Sequence, residues 1–95
     1  MSLRPFHLAF PVDNLDNARS FFTGVLGCTE GRSAPRWVDF DFFGHQISAH
    51  LDGEGAQGHP VNTVDGDRVP VRHFGLVLPW DEWEQFAEAL KEKGA

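Results

Sequence analysis

Imidazoles are the side chains of this chain best suited to metal or proton chemistry, and two of its five histidines stand at equivalent points of a repeat. His7 opens the apolar stretch His7-Leu8-Ala9-Phe10-Pro11-Val12, which runs into Asp13-Asn14-Leu15-Asp16. His73 opens His73-Phe74-Gly75-Leu76-Val77-Leu78, which runs, after Pro79-Trp80, into Asp81-Glu82-Trp83-Glu84. The histidines are 66 positions apart. Leu15, Ala18 and Phe22 recur as Trp83, Phe86 and Leu90 at an offset of 68, the two extra residues being Pro79 and Trp80. An internal repeat of this kind governs the fold. Related by a pseudo-twofold axis, the two copies would bring both imidazoles to one point, an arrangement suited to a divalent transition metal. The competing reading of a strand histidine is a hydrogen-bonded core or surface residue.

Strand parity carries the argument further. His7 lies on the face opposite Phe6, Leu8 and Phe10, and His73 on the face opposite Phe74, Leu76 and Leu78. His50 shares a face with Gln46 and Ser48, opposite Ile47, Ala49 and Leu51, and is a third candidate. It is either a metal ligand or a residue that supports the ligands or touches substrate. His45 falls in a turn and His59 in a loop, where both are expected to face solvent.

The elements that must position these groups follow from periodicity. Phe6, Leu8, Phe10 and Val12 alternate with smaller residues, a strand pattern. Asp13 is the expected helix N-cap, with Asp16 three residues on. Leu15, Ala18, Phe22 and Val25 then mark an amphipathic helix of about three turns, ended by Gly27. Two further strands alternate over Trp37–Phe42 and Gln46–Leu51 around a Phe43-Gly44-His45 turn, and another short strand is expected near 28–33. Residues 52–70 are rich in Gly, Asn, Gln and Pro and read as a loop or linker. Residues 71–95 restart the pattern with a strand over 71–78 and a helix capped by Asp81 and ended by Gly94, and the later strands of the first copy have no counterpart.

Composition bounds the function. Ninety-five residues, 41% of them apolar, suit one modest core. A net charge of −6 and a pI near 5.1 argue against nucleic acid as partner. The single Cys28 excludes an internal disulfide framework and fits a reducing compartment. No apolar run reaches membrane-spanning length and no secretory core opens the chain, so a cytoplasmic protein without membrane partners is expected. Cys28 follows a helix C-terminus, which gives a thiolate no help. Asp39 and Asp41 share a strand face and read as a solvated or edge pair, and Trp83 at helical spacing reads as core. Trp37, Trp80 and Trp83 are alternatively the walls of an apolar ligand cavity.

Taken together, His7 through Phe22 (HLAFPVDNLDNARSFF), Val25-Leu26-Gly27, the strand from Gly44 to Leu51, and His73 through Leu78 resemble the vicinal oxygen chelate superfamily. That superfamily includes glyoxalase I, extradiol catechol dioxygenases, and bleomycin and fosfomycin resistance proteins, and the likeness leans to its dioxygenase-like branch. The resemblance implies an α+β fold of paired βαβββ modules forming a curved mixed sheet with helices on the outer face. Residues 4–51 would be the first module, 52–70 a connection, and 71–95 the start of an incomplete second module, all within one domain, 1–95. It implies a divalent metal, Fe2+ first, with Zn2+, Ni2+ or Mn2+ as alternatives, held by His7 and His73, with His50 near the place of a further ligand. The carboxylate that completes the family's set comes from a last strand this chain does not contain. The implied function is metal-dependent chemistry on a small substrate with vicinal oxygens, ring-cleaving dioxygenase-like or glyoxalase-like. The alternative is metal-free binding of a small drug molecule, as in bleomycin resistance. A homodimer is expected, because the helix bearing Trp83, Phe86 and Leu90 needs a partner surface.

Overall fold

The expected alternation from His7 onward becomes a strand, and the computed structural model describes it together with the rest of residues 4–56, 61–70 and 73–95. Two compact units divide the chain, Met1–Ala56 and Gln57–Ala95. In the first, β1 (His7–Val12) leads into α1 (Leu15–Arg19), then β2 (Thr29–Ala34), β3 (Trp37–Phe42) and β4 (His45–Leu51). This is the expected βαβββ order, with the short strand near 28–33 present as β2. The sheet order is β1-β4-β3-β2, with β1 parallel to β4 and the other pairs antiparallel, which makes a mixed sheet in an α+β unit.

The first helix departs from the expected regular three turns. Asn14, not Asp13, is the N-cap, its Oδ1 accepting from the Asn17 N–H at 2.8 Å. Beyond Arg19 the chain winds wider over Ser20–Val25, a π-helical turn in which the Leu26 N–H donates to the Phe21 carbonyl five residues back. Thr23 donates its hydroxyl to the Arg19 carbonyl at 2.6 Å, and Gly24 brings little helix propensity, so two neighbouring positions weaken the α-helical ladder. The wider turn still buries Phe22, whose ring lies 5.0 Å from Phe40 and 5.5 Å from Phe10. Gly27, at φ 78°, ends the helix as expected.

The core lies under this helix. Val38, Phe40, Ile47 and Ala49, from the apolar faces of β3 and β4, are essentially inaccessible, with Ala18, Phe22, Cys28 and Phe42 around them. Phe43 and Gly44 join β3 to β4 with φ of 53° and 88°, both left-handed, which is the two-residue hairpin turn that matches strand twist.

In the second unit, the region expected to be a linker contains a hairpin, β5 (Val61–Val64) and β6 (Asp67–Pro70), paired antiparallel. Its turn is Asp65-Gly66, both at positive φ, and Asp-Gly is the dipeptide that favours such a turn. The expected strand over 71–78 is not formed over its described part: residues 73–79 adopt no regular secondary structure, and 71–72 lie outside the described residues. α2 (Trp80–Glu92) begins after Pro79, so Asp81 is inside the first turn and not the cap. There its charge still complements the helix dipole. Gly94, at φ 83°, closes the helix as expected. Trp83 is not core: it is about half exposed and stacks on exposed Trp80 at 5.3 Å, and α2 has no buried residue.

Candidate functional site

The polar face of the four-stranded sheet gathers side chains from every strand. The register sets His7 of β1 opposite Gln46 of β4, and Gln46 opposite Asp41 of β3. Ser48 stands opposite Asp39, and His50 lies between Pro11 and Trp37. His7, Gln46, Ser48, His50, Asp39, Asp41 and Trp37 therefore share the face away from the aromatic core. This confirms the parity expected of His7 and His50.

A hydrogen-bonded chain crosses that face. His7 Nδ1 is 3.0 Å from Gln46 Oε1, and Gln46 Nε2 donates to Asp39 Oδ2 at 3.2 Å. Ser48 donates its hydroxyl to Asp39 Oδ1 at 2.5 Å. Arg32 of β2 approaches Asp39 Oδ2 at 3.8 Å and lies 5.9 Å from the Trp37 ring centroid. Asp39 is only 6% exposed and Ser48 3%. A carboxylate so placed is stable only with donors around it, and it has them. The expectation of a solvated or edge pair is thus corrected for Asp39: β3 is an interior strand, and the neighbours on β4 cover the side chain. Asp41 is exposed, and its Oδ1 accepts from the Gly44 N–H of the hairpin turn at 2.8 Å.

An open depression of about 360 Å³ lies at this end of the sheet, lined by Arg32, Asp39, Asp41, His45 and Gln46 with Pro5, Gly31, Phe40 and Gly44. His45 differs from the expected solvent-facing turn residue. It is half-buried at the start of β4, and its Nδ1 accepts from the Phe6 N–H at 2.8 Å. The turn is two residues long, which draws His45 into the strand. His59 lies outside the described residues.

The three candidate metal ligands are placed differently. His7 is exposed on β1, with one ring nitrogen engaged by Gln46. His50 is exposed on the same face but four residues along the strands from the His7–Gln46 pair, about 13 Å at 3.3 Å per residue. Side chains standing roughly perpendicular to the sheet do not close that gap around one ion. His73 belongs to the second unit and is exposed ahead of α2. Among the described residues no three or more His, Cys, Asp or Glu side chains are grouped to hold a metal ion. A metal fits His7 as a single ligand whose ring is steadied from behind, while the four-stranded sheet does not assemble a full donor set around it. Asp39 is the residue that sequence reasoning underrated. The available signal was its parity with Gln46 and Ser48 once β3 and β4 are paired through a two-residue turn.

With this fold and face in place, comparison with known proteins identifies the class. The chain belongs to the Glyoxalase/Bleomycin resistance protein/Dioxygenase superfamily, whose pattern it matches over residues 4–95. Among solved structures it is similar to a glyoxalase/bleomycin resistance protein/dioxygenase from Alicyclobacillus acidocaldarius, with 29% identity and a TM-score of 0.74. That match covers 96% of this chain and 64% of the other, so the chain spans less than two thirds of that relative. An integron cassette protein from the mobile metagenome of the Halifax Harbour sewage outfall is 23% identical with a TM-score of 0.70, over 96% of this chain and 71% of the other. The fosfomycin resistance protein FosX from Listeria monocytogenes, solved with Mn(II) and sulfate, shares the fold at 17% identity and a TM-score of 0.61, over 99% of this chain and 66% of the other. No curated protein matches the chain. Among the described residues no helix is long and apolar enough to cross a membrane.

Proposed function

We propose that the chain is part of a metal-dependent enzyme of the glyoxalase and extradiol dioxygenase type, acting on a small substrate with vicinal oxygens, and within that type a ring-cleaving dioxygenase-like protein. The observation that carries this reading is His7 on the polar face of the family's sheet, exposed and hydrogen-bonded through one ring nitrogen. Ligating imidazoles are commonly held this way. His7 and His73 would hold the metal within a single domain spanning 1–95, and His50, from its register, would contact substrate rather than the ion at His7. Fe2+ is the first choice, with Zn2+, Ni2+ or Mn2+ as alternatives; the FosX relative was solved with Mn(II). When bound, such an ion supplies an open-sided Lewis acid on which two adjacent substrate oxygens can sit. The chain's own residues would orient the ring of His7 through Gln46, while Arg32, Asp41 and Gln46 line the open depression.

The test is competition of Fe2+, Mn2+ or Zn2+ against a chromophoric chelator, on the wild-type chain and on His7→Ala and His73→Ala. Each substitution is expected to weaken binding at least tenfold. Affinity unchanged in either variant rules out that ligand.

A metal-free binding role is favoured by one arrangement, the Arg32 guanidinium over Trp37 beside the open depression, an aromatic and cationic wall suited to a flat anionic or aromatic molecule. We further propose a cytoplasmic homodimer. Phe74, Val77, Trp80 and Trp83 of the second unit are all exposed, an apolar surface that a second copy would cover. Sedimentation at micromolar concentration showing a folded monomer refutes the dimer.

A further inference from the structure

We propose that Asp39, acting through Gln46, fixes His7 as the Nδ1–H tautomer and leaves its Nε2 unprotonated, with a free lone pair. The argument starts at the buried end of the hydrogen-bonded chain. An ionised carboxylate offers acceptors only, and Asp39 receives the Ser48 hydroxyl on one oxygen and Gln46 on the other. The group of Gln46 that faces Asp39 Oδ2 at 3.2 Å must therefore be the NH2 end, since the carbonyl end would set two acceptors against each other. The carboxamide is planar, so its Oε1 is committed to the other side, 3.0 Å from His7 Nδ1. An oxygen that can only accept requires a proton on Nδ1. In the neutral ring, Nε2 is then the basic nitrogen.

The relay is directional because its two ends differ in burial. Asp39 and Ser48 are fixed in the sheet, while His7 is exposed and would otherwise be free to exchange tautomers in water. Gln46, on β4, carries the constraint from β3 to β1, across two strand spacings. Gln46 and Asp39 are thus positioning residues for His7 and not metal ligands themselves. The consequence for metal binding rests on the proposal that His7 is a ligand; the tautomer assignment does not.

Two measurements separate these. Long-range proton–nitrogen correlation spectra of the 15N-labelled wild-type chain, at a pH where imidazole is neutral, are expected to show a protonated Nδ1 and an unprotonated Nε2 for His7. Gln46→Leu should convert His7 largely to the Nε2–H form. Asp39→Asn should give a mixture because the Gln46 amide is free to turn over. Gln46 is exposed, so its variants are expected to keep the β3 and β4 amide spectrum, which reports folding. An Nε2–H tautomer in the wild type, or an unchanged His7 spectrum in folded Gln46→Leu, overturns the proposal. Titration with Zn(II) is the second arm. If His7→Ala abolishes binding, Gln46→Leu should weaken it about tenfold, and an unchanged affinity overturns the positioning role. If no Zn(II) binds through His7 while the tautomer responds as stated, the metal reading falls and the tautomer assignment stands.

Discussion

Replacing Asp39 with alanine tests whether the polar face is built around a buried carboxylate. The substitution removes the acceptor for a Ser48 hydroxyl that is only 3% exposed and cannot turn to water. A buried donor left without a partner costs about 1–3 kcal/mol, and a hydrogen bond to a charged group is itself worth about 1.5–3 kcal/mol. Gln46 is exposed and recovers its lost bond from solvent. Arg32 is 82% exposed and 3.8 Å away, so its ion pair contributes no more than about 0.5 kcal/mol. These effects overlap, and Asp39→Ala is expected to destabilise the first unit by about 2–4 kcal/mol, almost all of it through Ser48. A double-mutant cycle makes this precise: Asp39→Ala and Ser48→Ala should couple by about 1.5–3 kcal/mol, and Asp39→Ala and Arg32→Ala by less than about 0.5. The assay is a urea titration followed through β3 and β4 amide resonances, which report the first unit alone. A loss below about 0.5 kcal/mol, additive with Ser48→Ala, would refute the reasoning, because Asp39 would then be as solvated as Asp41.

Two further outcomes test other details. Asn14→Ala should cost about 1 kcal/mol of first-unit stability, while Asp13→Ala should change it by less than about 0.5, by the same titration. Burial, and secondarily the negative charge of Asp41, raise the Cys28 thiol above its ordinary value of 9.0. The stability tied to the neutral thiol is therefore fully present below that value and is lost as pH climbs through the higher folded one. The urea midpoint should fall in alkaline solution, and Cys28→Ala should flatten the fall; an equally steep fall in that variant would show that other groups cause it.

Much of the first unit was legible because side-chain alternation and helix spacing are properties of single segments. The faces of β1, β3 and β4 could be read from Leu8 and Phe10, Val38 and Phe40, and Ile47 and Ala49, since period two leaves one face for the core. The helix cap was misplaced by one residue because Asp13 and Asn14 have nearly equal capping preference, and only the backbone at Asn14, extended at φ −155° and ψ 120°, decides between them. The π-helical turn was hidden because Leu15, Ala18, Phe22 and Val25 fit an α-helix on spacing alone. The hairpin over residues 61–70 was missed by weighing composition over the Asp65-Gly66 turn. The expected strand from His73 rested on alternation and on its match to the His7 segment, whereas a strand also needs backbone partners that neither signal specifies.

Asp39 was misjudged for a related reason. Whether a strand-face carboxylate is solvated depends on which residues stand opposite it, and that is set by pairing register. One two-residue turn, with Phe43 and Gly44 both left-handed, puts Ser48 opposite Asp39 and Gln46 opposite Asp41. The parallel β1–β4 register then puts His7 beside Gln46 and leaves His50 four residues away. On this face the oxygens of Asp39 are taken by Ser48 and Gln46, and Asp41 is turned to the Gly44 N–H. The described part of the sheet thus offers an ion at His7 one imidazole whose ring is steadied, and no second donor that is both near and free. Further donors to an ion at His7 have to come from outside the four strands.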